Sequence, residues 1–149
     1  IETKLVFAIG NSDTVKTLVS KLSVNPNLSF PNIIHPSCDI SKEIVDIGVG
    51  NIINAGVIIG RDVFLGNFNL LNSQVIIGHD TSIGSFNHFS PSVNIAGNVK
   101  IMDSCSFGMN SSVIQGVRIP SNVRLGAHSL LLRKPKSGAA YFGVPALKL

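Results

Sequence analysis

The chain has no tryptophan, a single tyrosine and two methionines among its 149 residues, and only 13% of them are charged. Its apolar content, 44% of residues with a mean hydropathy of +0.38, comes chiefly from Ile, Val and Leu, which favour strands. No apolar run approaches the roughly 18 residues that a membrane span needs, and the N-terminus lacks the basic-then-apolar layout of a secretory leader. A soluble, cytoplasmic protein of one domain's size is expected. Two cysteines, Cys38 and Cys105, form no CxxC pair and have no histidine at ligand spacing. They are expected to be buried thiols without redox or metal chemistry. The formal charge of +4 is not gathered into an arginine-rich helix or a basic stripe interleaved with aromatics, so neither nucleic acid nor membrane is expected as a partner. Arg133, Lys134, Lys136 and Lys148 do gather near the C-terminus, as a solvated tail or as a place for a small phosphorylated ligand.

What the chain does have is a period of six. From Ile47 it runs without a break through Ile53, Ile59, Leu65, Leu71, Ile77, Ile83, Phe89, Ile95, Ile101, Phe107, Val113, Ile119 and Leu125 to Leu131. Two residues before most of these stands a smaller side chain, such as Val57, Val75, Thr81, Val93 or Cys105, with Asn in its place at 51, 69 and 87. Side chains two apart share a face of an extended segment, so both series point inward. Glycine follows the large residue at positions 48, 60, 66, 78, 84, 108 and 126, which fits a corner with unusual backbone angles or a close approach. Each hexad is therefore a short strand and a turn, and three hexads close one triangular coil. The class is mainly β, a parallel β-helix of about five coils with stacked strands ~4.8 Å apart. Ile34 and Ile40 are also six apart, but the step from Ile40 to Ile47 is seven, which places one inserted residue where the regular prism begins.

Residues 1–33 follow a different pattern. Lys4 to Ile9 reads as a strand, Gly10-Asn11-Ser12-Asp13 as a turn with helix-capping residues, and Val15, Leu18, Val19 and Leu22 as one helical face. Asn25-Pro26-Asn27 then breaks the helix before a second strand over 28–34. A βαβ piece of this length has too little core to stand alone, so it is expected to cap the open end of the prism as the remnant of a Rossmann-like substrate domain. The β-helix is expected over 34–132, and a C-terminal tail over 133–149 closes the other end.

The chemistry-bearing stretch is Ile77 to Pro91, which holds two of the four histidines, His79 and His88. His79 follows Gly78 at a corner and should project outward, where a histidine can act as a base near neutral pH. Its neighbour Asp80 would orient the ring if the corner turns the two together, whereas neighbours in a plain strand diverge. The spacing of His35, His79, His88 and His128 does not resemble that of zinc-dependent carbonic anhydrases built on a similar prism, and no metal is expected.

The hexapeptide pattern resembles the hexapeptide-repeat acyltransferases, and that resemblance, against the general right-handed rule for parallel crossovers, implies a left-handed coil. His79-Asp80, with His88 nine residues on, Asn72-Ser73 before and Ala96-Gly97-Asn98-Val99 after, resembles the bacterial sialic acid O-acetyltransferase and UDP-4-amino-sugar N-acetyltransferase family. The Gly143-Val144-Pro145-Ala146 ending matches as well. The resemblance implies an acetyl-CoA-dependent transfer to the amine of a nucleotide-linked sugar, with His79 as catalytic base and Asp80 assisting it. It implies that His88 contacts acetyl-CoA, that the Gly97 backbone serves the thioester oxyanion, and that Met109 and Ala127 line the pantetheine groove. Asn72 would place the acceptor, and the assembly would be a homotrimer with interfacial sites. O-acetylation of a sialic acid or another sugar hydroxyl would use the same groups, and a non-catalytic β-helix scaffold is the alternative outside enzymes. Members of that family usually begin with a strand and a Gly-rich turn that binds the nucleotide. No such turn precedes the first strand here, so the chain is expected to start partway through that domain.

Overall fold

A computed structural model describes residues 2–43 and 46–149. Two-residue rungs stack in parallel into three sheets that form a left-handed β-helix. The first face carries Ile33–Ile34, Ile52–Ile53, Leu70–Leu71, His88–Phe89, Ser106–Phe107 and Arg124–Leu125. The second carries Asp39–Ile40, Ile58–Ile59, Ile76–Ile77, Asn94–Ile95, Ser112–Val113 and Leu130–Leu131. The third carries Asp46–Ile47, Phe64–Leu65, Ser82–Ile83, Lys100–Ile101 and Arg118–Ile119. The rungs at Ile33–Ile34 and Asp39–Ile40 extend the ladder beyond the coils counted from Ile47. The seven-residue step before Ile47 includes residues 44 and 45, which lie outside the described residues.

The apolar series fills the interior as its period requires. Every large position from Ile53 to Leu131 is buried, and so are the smaller ones from Val57 to Val123. The faces present Ile58, Ile76 and Phe64 outward, each exposed, while the valines and asparagines of the repeat point in. Asn51, Asn69 and Asn87 are buried as a ladder. The Asn69 amide donates to Asn51 Oδ1 at 3.1 Å and to the Gly84 carbonyl at 2.9 Å. Asn69 Oδ1 in turn accepts from the Asn87 backbone at 2.9 Å and from its side chain at 3.1 Å. The ladder ends where the Cys105 N–H donates to Asn87 Oδ1 at 2.8 Å.

The corners separate two roles that the glycines suggested jointly. The left-handed backbone falls three positions after each large residue, at Asp62, Phe68, Gln74, Asp80, Phe86, Ser92 and Asn98 among others, with φ between +54° and +62°. These residues are strained by about 1 kcal/mol or more each. Their N–H groups are satisfied by the preceding coil, as in Asp80 to the Arg61 carbonyl at 3.1 Å and Asn98 to the His79 carbonyl at 2.8 Å. The glycine directly after the large residue is needed for close approach, since a Cβ on Gly78 would lie 2.6 Å from the Ala96 carbonyl carbon and the Gly97 nitrogen.

Ahead of the prism, β1 (Thr3–Lys4) pairs in parallel with β2 (Leu28–Ser29), and α1 (Ser12–Leu22) crosses between them. The expected strand over 4–9 is thus much shorter. Asn11 caps α1, its Oδ1 accepting from the Thr14 N–H at 2.9 Å. The unit lies along the flank of the prism, where an end cap had been expected. Phe7 and Phe30 pack on Phe68 at the corner between the third and first faces, and Phe68 stacks on Phe86 at 5.4 Å. The Lys16 ammonium sits over Phe86 at 5.7 Å, which adds a cation–π contact to the same joint. At the other end Ala140–Phe142 adds in parallel to Arg124–Leu125, and Leu147–Lys148 folds back antiparallel. Tyr141 and Ala146 then pack against the core. Among the described residues no helix is long and apolar enough to cross a membrane.

Because Asn69 both donates and accepts within a dry interior, Asn69→Ala is expected to cost about 2–4 kcal/mol by stranding its partners. Urea unfolding measures this, and a loss below about 1 kcal/mol would show that the ladder carries little of the stability.

Candidate active site

His79 and Asp80 share the corner between the second and third faces, and the corner geometry does bring them together. His79 Nδ1 lies 2.6 Å from Asp80 Oδ2, with both side chains about half exposed. The left-handed φ of +56° at Asp80 turns consecutive side chains towards each other where an extended strand would send them apart. An ionised carboxylate only accepts, so the contact calls for a ring proton on Nδ1 and leaves Nε2 turned away from Asp80. Directly under the ring, one coil on, stands Gly97. A Cβ there would lie 2.7 Å from both His79 Cε1 and Nε2, so glycine is the residue that admits the ring. Gly97 is itself buried, and among the described residues its N–H has no hydrogen-bond acceptor. Arg118 braces the same corner, its guanidinium donating to the Asn98 carbonyl at 2.7 Å and to Asn98 Oδ1 at 3.3 Å.

Asn72 and His88 form a second cluster on the first face. The Asn72 amide nitrogen donates to the Phe89 carbonyl at 2.9 Å and lies 3.0 Å from His88 Nε2. Asn72 Oδ1 accepts from the Asn54 amide at 3.3 Å. Burial lowers the pKa of His88 below the ordinary 6.5, against a smaller raising effect from the backbone of Gly10. The ring is therefore neutral at pH 7. Gly10 was legible only as a turn residue, and nothing in the sequence pointed from it to residue 88. Met109 and Ala127 stack one coil apart at the corner between the first and second faces, both exposed, so packing within their own prism does not account for them.

The sequence-derived site thus divides into His79, Asp80 and Gly97 at one corner, and Asn72 with His88 on the face opposite that corner. The thiols lie in neither cluster. Burial pushes the Cys105 thiol up to about 11, which leaves it unreactive near neutrality. Cys38 is only half-buried, its thiol donating to the Asn54 carbonyl at 3.1 Å. Among the described residues no group of three His, Cys, Asp or Glu side chains could hold a metal ion.

No protein-family model matches the chain, and no curated protein matches it. Solved structures do match. PerB from Caulobacter crescentus, in complex with CoA and GDP-perosamine, is 29% identical with a TM-score of 0.94, over 99% of this chain and 70% of that one. A histidine-to-asparagine variant of perosamine N-acetyltransferase from the same organism, again with CoA and GDP-perosamine, is 28% identical with a TM-score of 0.94, over 99% of this chain and 69% of that one. WeeI from Acinetobacter baumannii, 22% identical with a TM-score of 0.94 over 99% of this chain and 71% of that one, shares the fold. The resemblance to hexapeptide-repeat sugar N-acetyltransferases is borne out by the matches to PerB and the perosamine N-acetyltransferase variant.

Gly97→Ala is expected to push the His79 ring off its position and break the Nδ1–Asp80 contact, since the new methyl would overlap the ring. The half-exposed ring can swing towards solvent, so the loss of stability should stay within about 1 kcal/mol. Ring-nitrogen NMR of His79 reads the displacement, and an unchanged His79 signal would contradict the overlap.

Proposed function

We propose that the chain is an acetyltransferase that moves the acetyl group of acetyl-CoA to the amine of a nucleotide-linked amino sugar, with His79 as general base. The observation that carries this reading is the His79–Asp80 contact, a ring fixed by a carboxylate on one nitrogen with the other nitrogen left as a base. Acetyl-CoA as co-substrate is supported by the CoA found in PerB. In the proposed step the amine attacks the thioester carbon while His79 Nε2 takes a proton from it. The Gly97 N–H, which has no acceptor within the described residues, would stabilise the tetrahedral oxyanion. Collapse then expels the CoA thiolate, and the proton on His79 passes to the sulfur. No acyl-enzyme is needed, which agrees with two thiols that lie outside the site.

UDP-4-amino sugars are the acceptors that the sequence resemblance favours, and a GDP-linked amino sugar stands beside them because PerB holds GDP-perosamine. Within one prism the His79 corner and the Asn72–His88 face lie on opposite sides. A homotrimer would set the corner of one copy against the face or the Met109–Ala127 corner of the next, completing three interfacial sites and covering Ile58, Ile76 and Phe64.

Acetyl-CoA turnover with a panel of UDP- and GDP-linked amino sugars tests the reading. His79→Ala should lower kcat/KM by about 100-fold to 10,000-fold. Turnover that survives the substitution would remove His79 from the mechanism, and a sugar lacking the amine that is acetylated as well would point to hydroxyl transfer. Mixed assemblies of His79→Ala and Asn72→Ala subunits should regain part of the activity that each lacks alone. Absence of any recovery would place the whole site within one chain.

A further inference from the structure

Resting on the acetyl-transfer reading above, we propose that Arg118 is a positioning residue for the catalytic corner. By gripping Asn98 it holds the Gly97 N–H and the His79 backbone where the transfer needs them.

The turn from Ala96 to Asn98 passes beneath the His79 ring, and nearly all of its backbone is committed. The Ala96 N–H donates to the Val113 carbonyl at 3.0 Å, and the Ala96 carbonyl accepts from Thr81 Oγ1 at 3.3 Å. The Gly97 carbonyl accepts from the Gly116 N–H at 3.1 Å, and the Asn98 N–H donates to the His79 carbonyl at 2.8 Å. Two backbone groups are left over, the Gly97 N–H and the Asn98 carbonyl. Arg118 takes the second, with one guanidinium nitrogen 2.7 Å from the Asn98 carbonyl and the other 3.3 Å from Asn98 Oδ1. The Gly97 N–H is then the one backbone group of the turn without a partner among the described residues. It belongs to a buried residue, where an empty donor is unfavourable and a developing oxyanion would satisfy it.

Two features of this turn work against a fixed shape. Gly97 has no Cβ to limit its backbone, and Asn98 is held at a left-handed φ of +55°, a conformation that strains any residue but glycine. A planar fork bonded to both oxygens of Asn98 sets its carbonyl and its side chain in one geometry. Because the Asn98 N–H is bonded in turn to the His79 carbonyl, Arg118 acts on the base through a single residue.

Stability of the ladder does not account for this arginine. Arg118 stands in register with Lys100 on the third face, and like charges opposite each other in a ladder are unfavourable. Neither cation has an ion-pair partner among the described residues, and no Asp or Glu follows Asp103 in the chain. The guanidinium spends its donors instead on the turn that carries the oxyanion site.

Steady-state kinetics and amide hydrogen exchange of the full chain test the role together. Arg118→Ala should lower kcat by about 10-fold to 100-fold, because a displaced oxyanion donor is felt in the transition state. Both KM values should stay within about twofold. Exchange of the Asn98 amide, measured without substrates, should accelerate by about tenfold or more. Arg118→Lys keeps the charge but not the fork, and should fall between the wild type and the Ala variant. A kcat within about twofold of wild type overturns the proposal, even if thermal stability falls. So does a selective rise in either KM, which would make Arg118 a direct contact of a substrate phosphate. If Arg118→Ala does not fold, the Lys variant decides, and wild-type kcat with unchanged Asn98 exchange in it overturns the role. Wild-type protein that acetylates no amino sugar would sink the acetyl-transfer reading and the catalytic role with it. Asn98 exchange in the variants would then decide by itself whether Arg118 fixes the turn.

Discussion

The structure depends on the hydrogen bond that each left-handed corner residue sends back one coil. Asp80 donates to Arg61, Asn98 to His79 and Gly116 to Gly97. Each bond spans nineteen residues, one more than the eighteen at which the rungs pair, as Ile76 does with Asn94. A slip of one residue would turn the aliphatic series out of the core, so register and burial enforce each other. The consequence for the site is direct. Residues two positions after a large apolar one form a column along each corner, and His79 and Gly97 are successive members of one such column. The histidine projects outward, and the residue beneath its ring is determined, by the same constraint.

Much of this was legible because the period is short and unbroken. Stepping by six from Ile47 located the buried large residues, and the smaller series followed from strand alternation. The corner glycines were legible as corners, but the sequence could not show which backbone position turns left-handed. Asp80, Phe86 and Asn98 occupy that conformation, and glycine is required where a neighbouring coil leaves no room for a Cβ. Asn51, Asn69 and Asn87 looked like exceptions to an apolar series. Their meaning emerges only once residues eighteen apart are stacked, because each amide then finds the next.

The N-terminal unit shows where reading along the chain stops. Its βαβ order follows from local signals, namely the Asn11 cap and the break after residue 24. Its docking does not, because the decisive contacts join Phe7 and Phe30 to Phe68, Lys16 to Phe86 and Gly10 to His88. These pairs share no periodicity with the prism. An end cap was a reasonable expectation for a fragment beside an open coil, but the aromatic column on the Phe68–Phe86 corner gives the unit rings to pack against.

The two histidines, His79 and His88, stand in contrasting surroundings. His79 stands half in solvent with Asp80 Oδ2 2.6 Å from its Nδ1. His88 stands in a half-buried cleft beside the Asn72 amide, and burial there opposes a positive charge on the ring. A base in the second setting would work against its own desolvation. The contrast between the two settings therefore follows from where each corner and face lies relative to solvent. His79 sits on an outer corner and His88 beside the docked N-terminal unit, and on a triangular coil those places are opposite each other.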